Sequence, residues 1–340
     1  MSKMQRHRIA AALAGGVLAL VAGPAGGARA ETEHATLALP VEGLNFLAYY
    51  VAEDLGIFKE QGLEIKSVVI AGVGSFNAVV AGSVELSFSS GSSLTRAAAH
   101  GQRLLAIAQM NNLPVWDIVV RRDVAEAAHF DPEAPLAVRA QVLKGTTMSI
   151  AGVNALDHAY LRIVTKLGGS DPDAMRIAPM APPDALAAFA RKAIDGFVAG
   201  PPWPQRVEAD GSGIAVAIGP NGEPASLVPI ASSLLMVRPQ TCVERRALCE
   251  KMGRSMVLAS KAVHERTKDV LAALTKRFSK IGEPVMARAL DALVKAMPPV
   301  PKVDLVALRK ADEINVEAGF MKASELLASY DGLSTDEYLK

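Results

Sequence analysis

The chain has 340 residues, half of them hydrophobic but only 5% aromatic, and carries 36 basic against 35 acidic side chains. That near-even balance, with no charge run and no basic stripe interleaved with aromatics, argues against nucleic acid as a partner. The length exceeds what one hydrophobic core usually supports, so two lobes are expected, with cores of Ala, Val, Leu and Ile that suit helices packed on parallel strands.

In chain order, residues 1–30 come first and read as an export signal. Lys3, Arg6 and Arg8 make a positive start, Ile9 to Ala22 form an apolar stretch, and Ala28-Arg29-Ala30 supplies the small-x-small cleavage pattern. The apolar stretch is shorter than the roughly 20 residues that span a bilayer. Cleavage after Ala30 is expected, and without a nearby cysteine for lipid attachment the product is a free periplasmic protein. Its charge balance is 32 basic to 35 acidic, because four of the 36 bases lie in the signal. Beyond the signal no window is apolar enough, for long enough, to cross a membrane.

The mature chain opens with a predicted strand at Ala35 to Val41 and a helix at Phe46 to Leu55. A second strand and helix of the same kind are predicted at Thr146 to Ala151 and Asp157 to Leu167. A weak self-similarity links the two. Shifting Phe76 to Ile107 by 110 residues sets Val84-Glu85 on Ile194-Asp195, Phe88 on Val198 and His100-Gly101 on Asp210-Gly211, and a shift of 112 sets Leu55-Gly56 on Leu167-Gly168. The repeat predicts two α/β units of one plan. Four loops then fall at carboxyl ends of strands, where open α/β sheets bind ligands: 42–45, 89–92, 152–156 and 199–203. A return strand is expected at Ser233 to Val237, followed by helices over 243–264, 267–281, 285–296 and 303–328 packed back on the first lobe. The organisation expected is a first lobe of 31–114 and 232–340, a second lobe of 115–231, and a two-strand hinge near Asn111 to Val115 and Ile230 to Ser233.

At this point the residues resemble a known family. The run Asn45-Phe46-Leu47-Ala48-Tyr49-Tyr50, continued by Leu55-Gly56-Ile57-Phe58 and Gln61-Gly62-Leu63, looks like the opening of solute-binding proteins of ABC importers for nitrate, taurine, aliphatic sulfonates and thiamine-pyrimidine precursors. The likeness continues with Gly82-x-Val84-Glu85, Leu143-Lys144-Gly145 and Ile194-Asp195-Gly196-Phe197, and covers roughly Thr36 to Val237. It implies the type II periplasmic-binding-protein fold, two doubly wound α/β sheets joined by a two-strand hinge. It also implies a monomer that holds a small-molecule ligand in the interlobe cleft and docks, closed, on a permease served by an ATPase subunit. The second-lobe loop Gly200-Pro201-Pro202-Trp203-Pro204 departs from the family pattern, and its three prolines remove backbone donors, so ligand identity does not transfer.

Candidate ligand contacts follow from the loops. Ser89, Ser90 and Ser92 precede a helix from about Leu94, and hydroxyls and amides at a helix amino terminus suit an anion or serve as a cap. Asn45 and Phe46 open the first helix, one able to hydrogen-bond and the other to stack. Gly74 and Ser75 follow Gly72 in a short glycine-rich turn that lets backbone approach a ligand. In the second lobe Asn154 and Asp157 belong to the corresponding loop, Asp157 reading as a helix cap, and Trp203 offers a ring. Trp116, beside the hinge, reads as structural, and His158 as a helix-surface residue. No arginine lies in the four loops, with Arg96 and Arg121 the nearest able to reach in. The hydroxyls favour an anion and the aromatics a ring, which an aromatic or organic acid satisfies together.

No His-Glu-x-x-His, Gly-x-Ser-x-Gly, Walker loop or Cys-x-x-Cys occurs, and the histidines show no metal-ligand spacing, so neither an enzyme nor a cofactor or metal is expected. The alternatives on the same fold are a sensor for a membrane receptor and a pyrimidine-precursor synthase-like enzyme, whose cysteine-rich motif is missing. Cys242 and Cys249 are the only cysteines. A bond between them requires that their helix start near Arg245, since α-carbons two turns apart, about 10 Å, exceed the roughly 7 Å a disulfide allows.

Overall fold

The computed structural model describes residues 32–340. The export signal, its cleavage point and Glu31 lie outside the described residues.

Ten strands form in chain order: β1 (Glu33–Leu39), β2 (Leu63–Val69), β3 (Leu86–Ser89), β4 (Leu105–Asn111), β5 (Asp117–Arg121), β6 (Thr147–Ile150), β7 (Arg176–Pro179), β8 (Gly196–Ala199), β9 (Gly213–Ile218) and β10 (Ser233–Val237). They build two five-stranded sheets, β2-β1-β3-β10-β4 and β7-β6-β8-β5-β9. In the first, β1 is parallel to β2 and β3, while β10 runs antiparallel between β3 and β4. In the second, β6 is parallel to β7 and β8, and β5 runs antiparallel between β8 and β9. The central strands β3, β5, β8 and β10 are almost wholly buried, as expected for strands covered by helices on both faces. This is the two-lobe α/β architecture that the repeat predicts. The shift of 110 residues superposes β3 on β8, and each holds the third place in its sheet.

Each sheet therefore takes its fourth strand from a segment that has just crossed over. The chain leaves the first sheet after β4 and enters the second as β5, then returns through residues 219–232 to insert β10. The crossings lie side by side: the Ile230 amide donates to the Asn112 carbonyl at 2.9 Å, and the Gly219 amide to the Trp116 carbonyl at 3.0 Å.

Several boundaries differ from the sequence reading, three of them with clear physical causes. β1 ends at Leu39, not Val41, because Pro40 has no amide for the ladder. The helix expected over 243–264 is two helices, Pro239–Glu244 and Arg246–Glu265, broken at Arg245. The break brings the α-carbons of Cys242 and Cys249 to 5.6 Å, and a disulfide joins them. The last helix stops at Glu317, well short of 328. Gly319 adopts φ 79° there, and the Phe320 amide turns back to the Asn315 carbonyl at 2.7 Å, a glycine-terminated helix end.

The C-terminal helices pack on the first sheet, with Asn315 Nδ2 donating to the Ser92 carbonyl at 3.0 Å, but they also reach the second. Arg206 donates to the Lys280 carbonyl at 3.0 Å, Arg288 to the Gln205 carbonyl at 3.1 Å, and Arg162 to the Ala318 carbonyl at 2.6 Å.

Candidate ligand-binding cavity

Both sheets turn the same kind of edge toward one cavity of about 530 Å³ of empty space, part of it open to solvent. Pro40 and Val41 follow β1, Ser89 ends β3 and Ser90 follows it, and Ala151 and Gly152 follow β6, so these walls are carboxyl ends of parallel strands. The floor has another origin. Because β5 and β10 run antiparallel to their neighbours, their amino ends arrive at that same edge and bring Val115, Trp116, Ser232 and Ser233 into the lining.

Of the residues singled out from sequence, the structure gathers Asn45, Phe46, Ser89, Ser90 and Asp157 around the cavity. It leaves Gly74, Ser75, Ser92, Asn154 and Trp203 outside the lining. Gly72 and Val73 face it in place of Gly74. The Ser75 hydroxyl turns back on the Gly72 carbonyl at 3.1 Å, and Ser92 is buried in the first turn of the helix Gly91–Ala99 with its hydroxyl 2.9 Å from that of Ser90. Asn154, at φ 59°, works through its backbone: its amide donates to His158 Nδ1 at 3.1 Å and its carbonyl accepts from Arg96 at 2.9 Å. Trp203 donates from Nε1 to the Glu42 carbonyl at 3.2 Å, a bond between the two lobes. Trp116, expected to be structural, lines the cavity instead. The strand-end rule passed over it and Ser233 because they lie at the amino ends of their strands, Trp116 just before β5 and Ser233 opening β10; the signal that finds them is the antiparallel direction of the hinge strands.

The lobes meet around the rim. The Leu44 amide donates to the Pro201 carbonyl at 2.8 Å. A Cβ on Gly200 would overlap the Asn45 side-chain amide, and one on Gly152 would come within 2.9 Å of the Gly72 Cα, so glycine is required at both approaches.

The polar groups at the cavity are largely committed to the protein. The Ser93 amide donates to Ser90 Oγ at 3.2 Å and the Gly91 amide to the Ala231 carbonyl at 2.8 Å. In the second lobe the buried Asp157 carboxylate accepts from the Ala151 amide at 2.8 Å and the His158 amide at 3.0 Å. Burial raises its pKa to about 6 against these backbone donors, which include Gly152. His158 is buried, not on the helix surface; desolvation, helped by Arg162, lowers its pKa to about 4, and its ring lies 5.2 Å from that of Phe320. Arg96 donates to Asn315 Oδ1 at 3.4 Å as well as to Asn154, and Arg121 pairs with Asp123 at 2.9 Å and Asp195 at 3.2 Å at the far end of β5, so neither enters the cavity. Ser233 Oγ is buried with no hydrogen-bond partner.

Comparison with known proteins agrees with this architecture. A family model described as NMT1/THI5 like matches residues 44–252. No curated protein sequence matches the chain. Among solved structures, it is similar to the alkanesulfonate-binding protein SsuA from Xanthomonas axonopodis pv. citri bound to MOPS, at 17% identity and a TM-score of 0.68 over 88% of this chain and 97% of that one. The periplasmic nitrate-binding protein NrtA from Synechocystis PCC 6803 matches at 14% identity and a TM-score of 0.71, covering 91% of this chain and 87% of that one. The desulfurization enzyme DSZB shares the fold at 15% identity and a TM-score of 0.60, covering 90% and 97%.

Proposed function

The chain belongs to the NMT1/THI5-like family, and from that premise we propose that it is the exported solute-binding component of an ABC importer, a monomer that captures a small organic solute between its lobes in the periplasm. Asn45, Phe46, Ser89, Ser90, Asp157, Trp116 and Ser233 are the contacts we assign to the solute. The observation that carries the reading is the single cavity walled by both sheets and floored by both hinge strands. A solute there touches both lobes at once, and contacts made only in the closed arrangement are what shift a two-state equilibrium toward it. The closed shape is then what the permease and its ATPase subunit respond to.

The test is a thermal-shift and calorimetric screen of residues 31–340 against sulfonates, nitrate, carboxylates, aromatic acids, amides and pyrimidines. A solute at a hundred times its Kd adds about 2.7 kcal/mol of stability. Because DSZB shares the fold, the solute is recovered after incubation: unchanged material supports capture, and a converted product overturns it in favour of an enzyme.

A further inference from the structure

A second cluster of polar groups lies outside the cavity, in the groove between the helices Gly74–Val80 and Gly91–Ala99 of the first lobe. Val73 and Ser93 form the divide, since they line both the groove and the cavity. Beyond them the polar lining is Asn77, Arg96, His100 and Gln102, each able to donate a hydrogen bond. Among the described residues, no Asp or Glu lines the groove, and the side chains of Asn77, His100 and Gln102 have no hydrogen-bond partner.

Arg96 is the anchor of this groove. It is half-buried, and its partners are all uncharged: the Asn315 side-chain oxygen at 3.4 Å, the Asn154 carbonyl at 2.9 Å, and the Phe320 ring, whose centroid is 5.7 Å from Cζ. Desolvation pulls its pKa below the ordinary arginine value, and no carboxylate among the described residues offsets it. Arg139 and Arg162, also half-buried, are each paired with an acid, Glu223 and Asp173. A charge partly withdrawn from water without a counter-charge is costly, and a guanidinium that has given two hydrogen bonds still has donors to give. A fork-shaped cation backed by uncharged donors is the complement of a carboxylate or phosphate group.

The same guanidinium reaches across the lobes, because Asn154 belongs to the second. Closing the lobes lays the Asn154 carbonyl on Arg96 and takes water away from it. An anion in the groove offsets that cost, so it stabilises the closed arrangement more than the open one.

We propose that this groove is an accessory oxyanion site, distinct from the cavity, which takes a carboxylate or phosphate group on Arg96 with Asn77, His100 and Gln102 around it, and that its occupation favours closure. The site requires no solute in the cavity, so its test is independent of the capture reading. Residues 31–340 are titrated calorimetrically with inorganic phosphate and with succinate, ionic strength being held constant with chloride. Saturable binding of either ion is expected, and the tighter of the two names the class. Silence of both up to tens of millimolar overturns the proposal.

An oxyanion could instead enter the cavity, and Asn77→Asp separates the two places. Asn77 lines the groove and not the cavity, and the change keeps its shape while adding a negative charge beside Arg96. Binding is expected to weaken about tenfold or more, and Arg96→Gln is expected to do the same. Affinity unchanged by Asn77→Asp places the ion elsewhere and overturns the site, whatever Arg96→Gln does to the fold. Closure is read by small-angle scattering without solute: phosphate is expected to lower the radius of gyration of the wild type and not of Asn77→Asp. Binding with an unchanged radius overturns the role in closure.

Discussion

The floor and the rim of the cavity are built by different means. The floor, residues 115–116 and 232–233, belongs to strands locked into ladders on both sides, β5 between β8 and β9 and β10 between β3 and β4. The rim is a set of single contacts between lobes: the Leu44 amide to the Pro201 carbonyl, Gly72 against Gly152, Trp203 to Glu42, and Arg96 to Asn154. A ladder is held cooperatively, whereas isolated contacts form and break one at a time. The contrast teaches that solute chemistry is fixed at the floor and closure is adjusted at the rim, and the two can be perturbed independently.

The largest expected effect is at the rim. Gly200→Val places a branched side chain where the Asn45 amide sits, so the lobes cannot approach; affinity is expected to drop by about 100-fold or more, about 2.7 kcal/mol, with the circular dichroism spectrum intact. Calorimetry that finds full affinity would show that this approach is not part of closure.

Away from both regions, replacing Cys242 and Cys249 with serine opens the disulfide-closed loop and is expected to cost about 2 kcal/mol of stability. Solute affinity should not change. Denaturant melts and calorimetry on the same sample separate the two readouts.

Next is a pH effect at the floor. Asp117, which begins β5 beside Trp116, is buried; desolvation, with Glu208 adding to it, raises its pKa to about 8. Protonated Asp117 favours the folded state, so its contribution is complete below the ordinary carboxylate range and is lost as pH rises through 8. Between pH 6.5 and 8 the loss is on the order of 1 to 2 kcal/mol. Asp117→Asn keeps an acceptor for Gln205 Nε2, which donates to Asp117 at 3.0 Å, and should flatten that slope in melts at the two pH values. His158, at the rim, acts in the other direction. Its neutral Nδ1 accepts the Asn154 amide, and its lowered pKa makes stability fall as pH drops from about 6.5 toward 4.

The smallest effects compare the two tryptophans. Trp116→Leu removes a ring from the floor and is expected to weaken the solute about tenfold. Trp203→Phe keeps the packing but loses the bond to the Glu42 carbonyl, for an effect of about threefold. Equal losses would erase the distinction between floor and rim.

Much of this architecture was legible in the sequence. The repeat located both units because a parallel strand followed by a helix has a strong pattern and the shift carried β3 onto β8. Asn45, Ser89 and Ser90 fall in loops that the strand-end rule picks out, while Phe46 and Asp157 sit in the helices that follow such loops, Asp157 having read as a helix cap. Strand direction was not legible: a five-residue apolar run such as Ser233 to Val237 reads the same whether it pairs parallel or antiparallel, and only the pairing brings its first residue to the cavity. Nor could spacing show that the Ser90 hydroxyl is taken by the Ser93 amide, since a cap and a ligand contact require the same residue in the same place.

The placement of β10 also bears on how the molecule comes into being. The first sheet has a gap between β3 and β4 until Ser233–Val237 has been made, and by then the whole second sheet already exists. The amino-terminal half thus waits for the carboxyl-terminal half. A growing chain cannot mature lobe by lobe from its amino terminus, and remains unfinished, and so threadable through a narrow opening, until about 70% of its length has emerged.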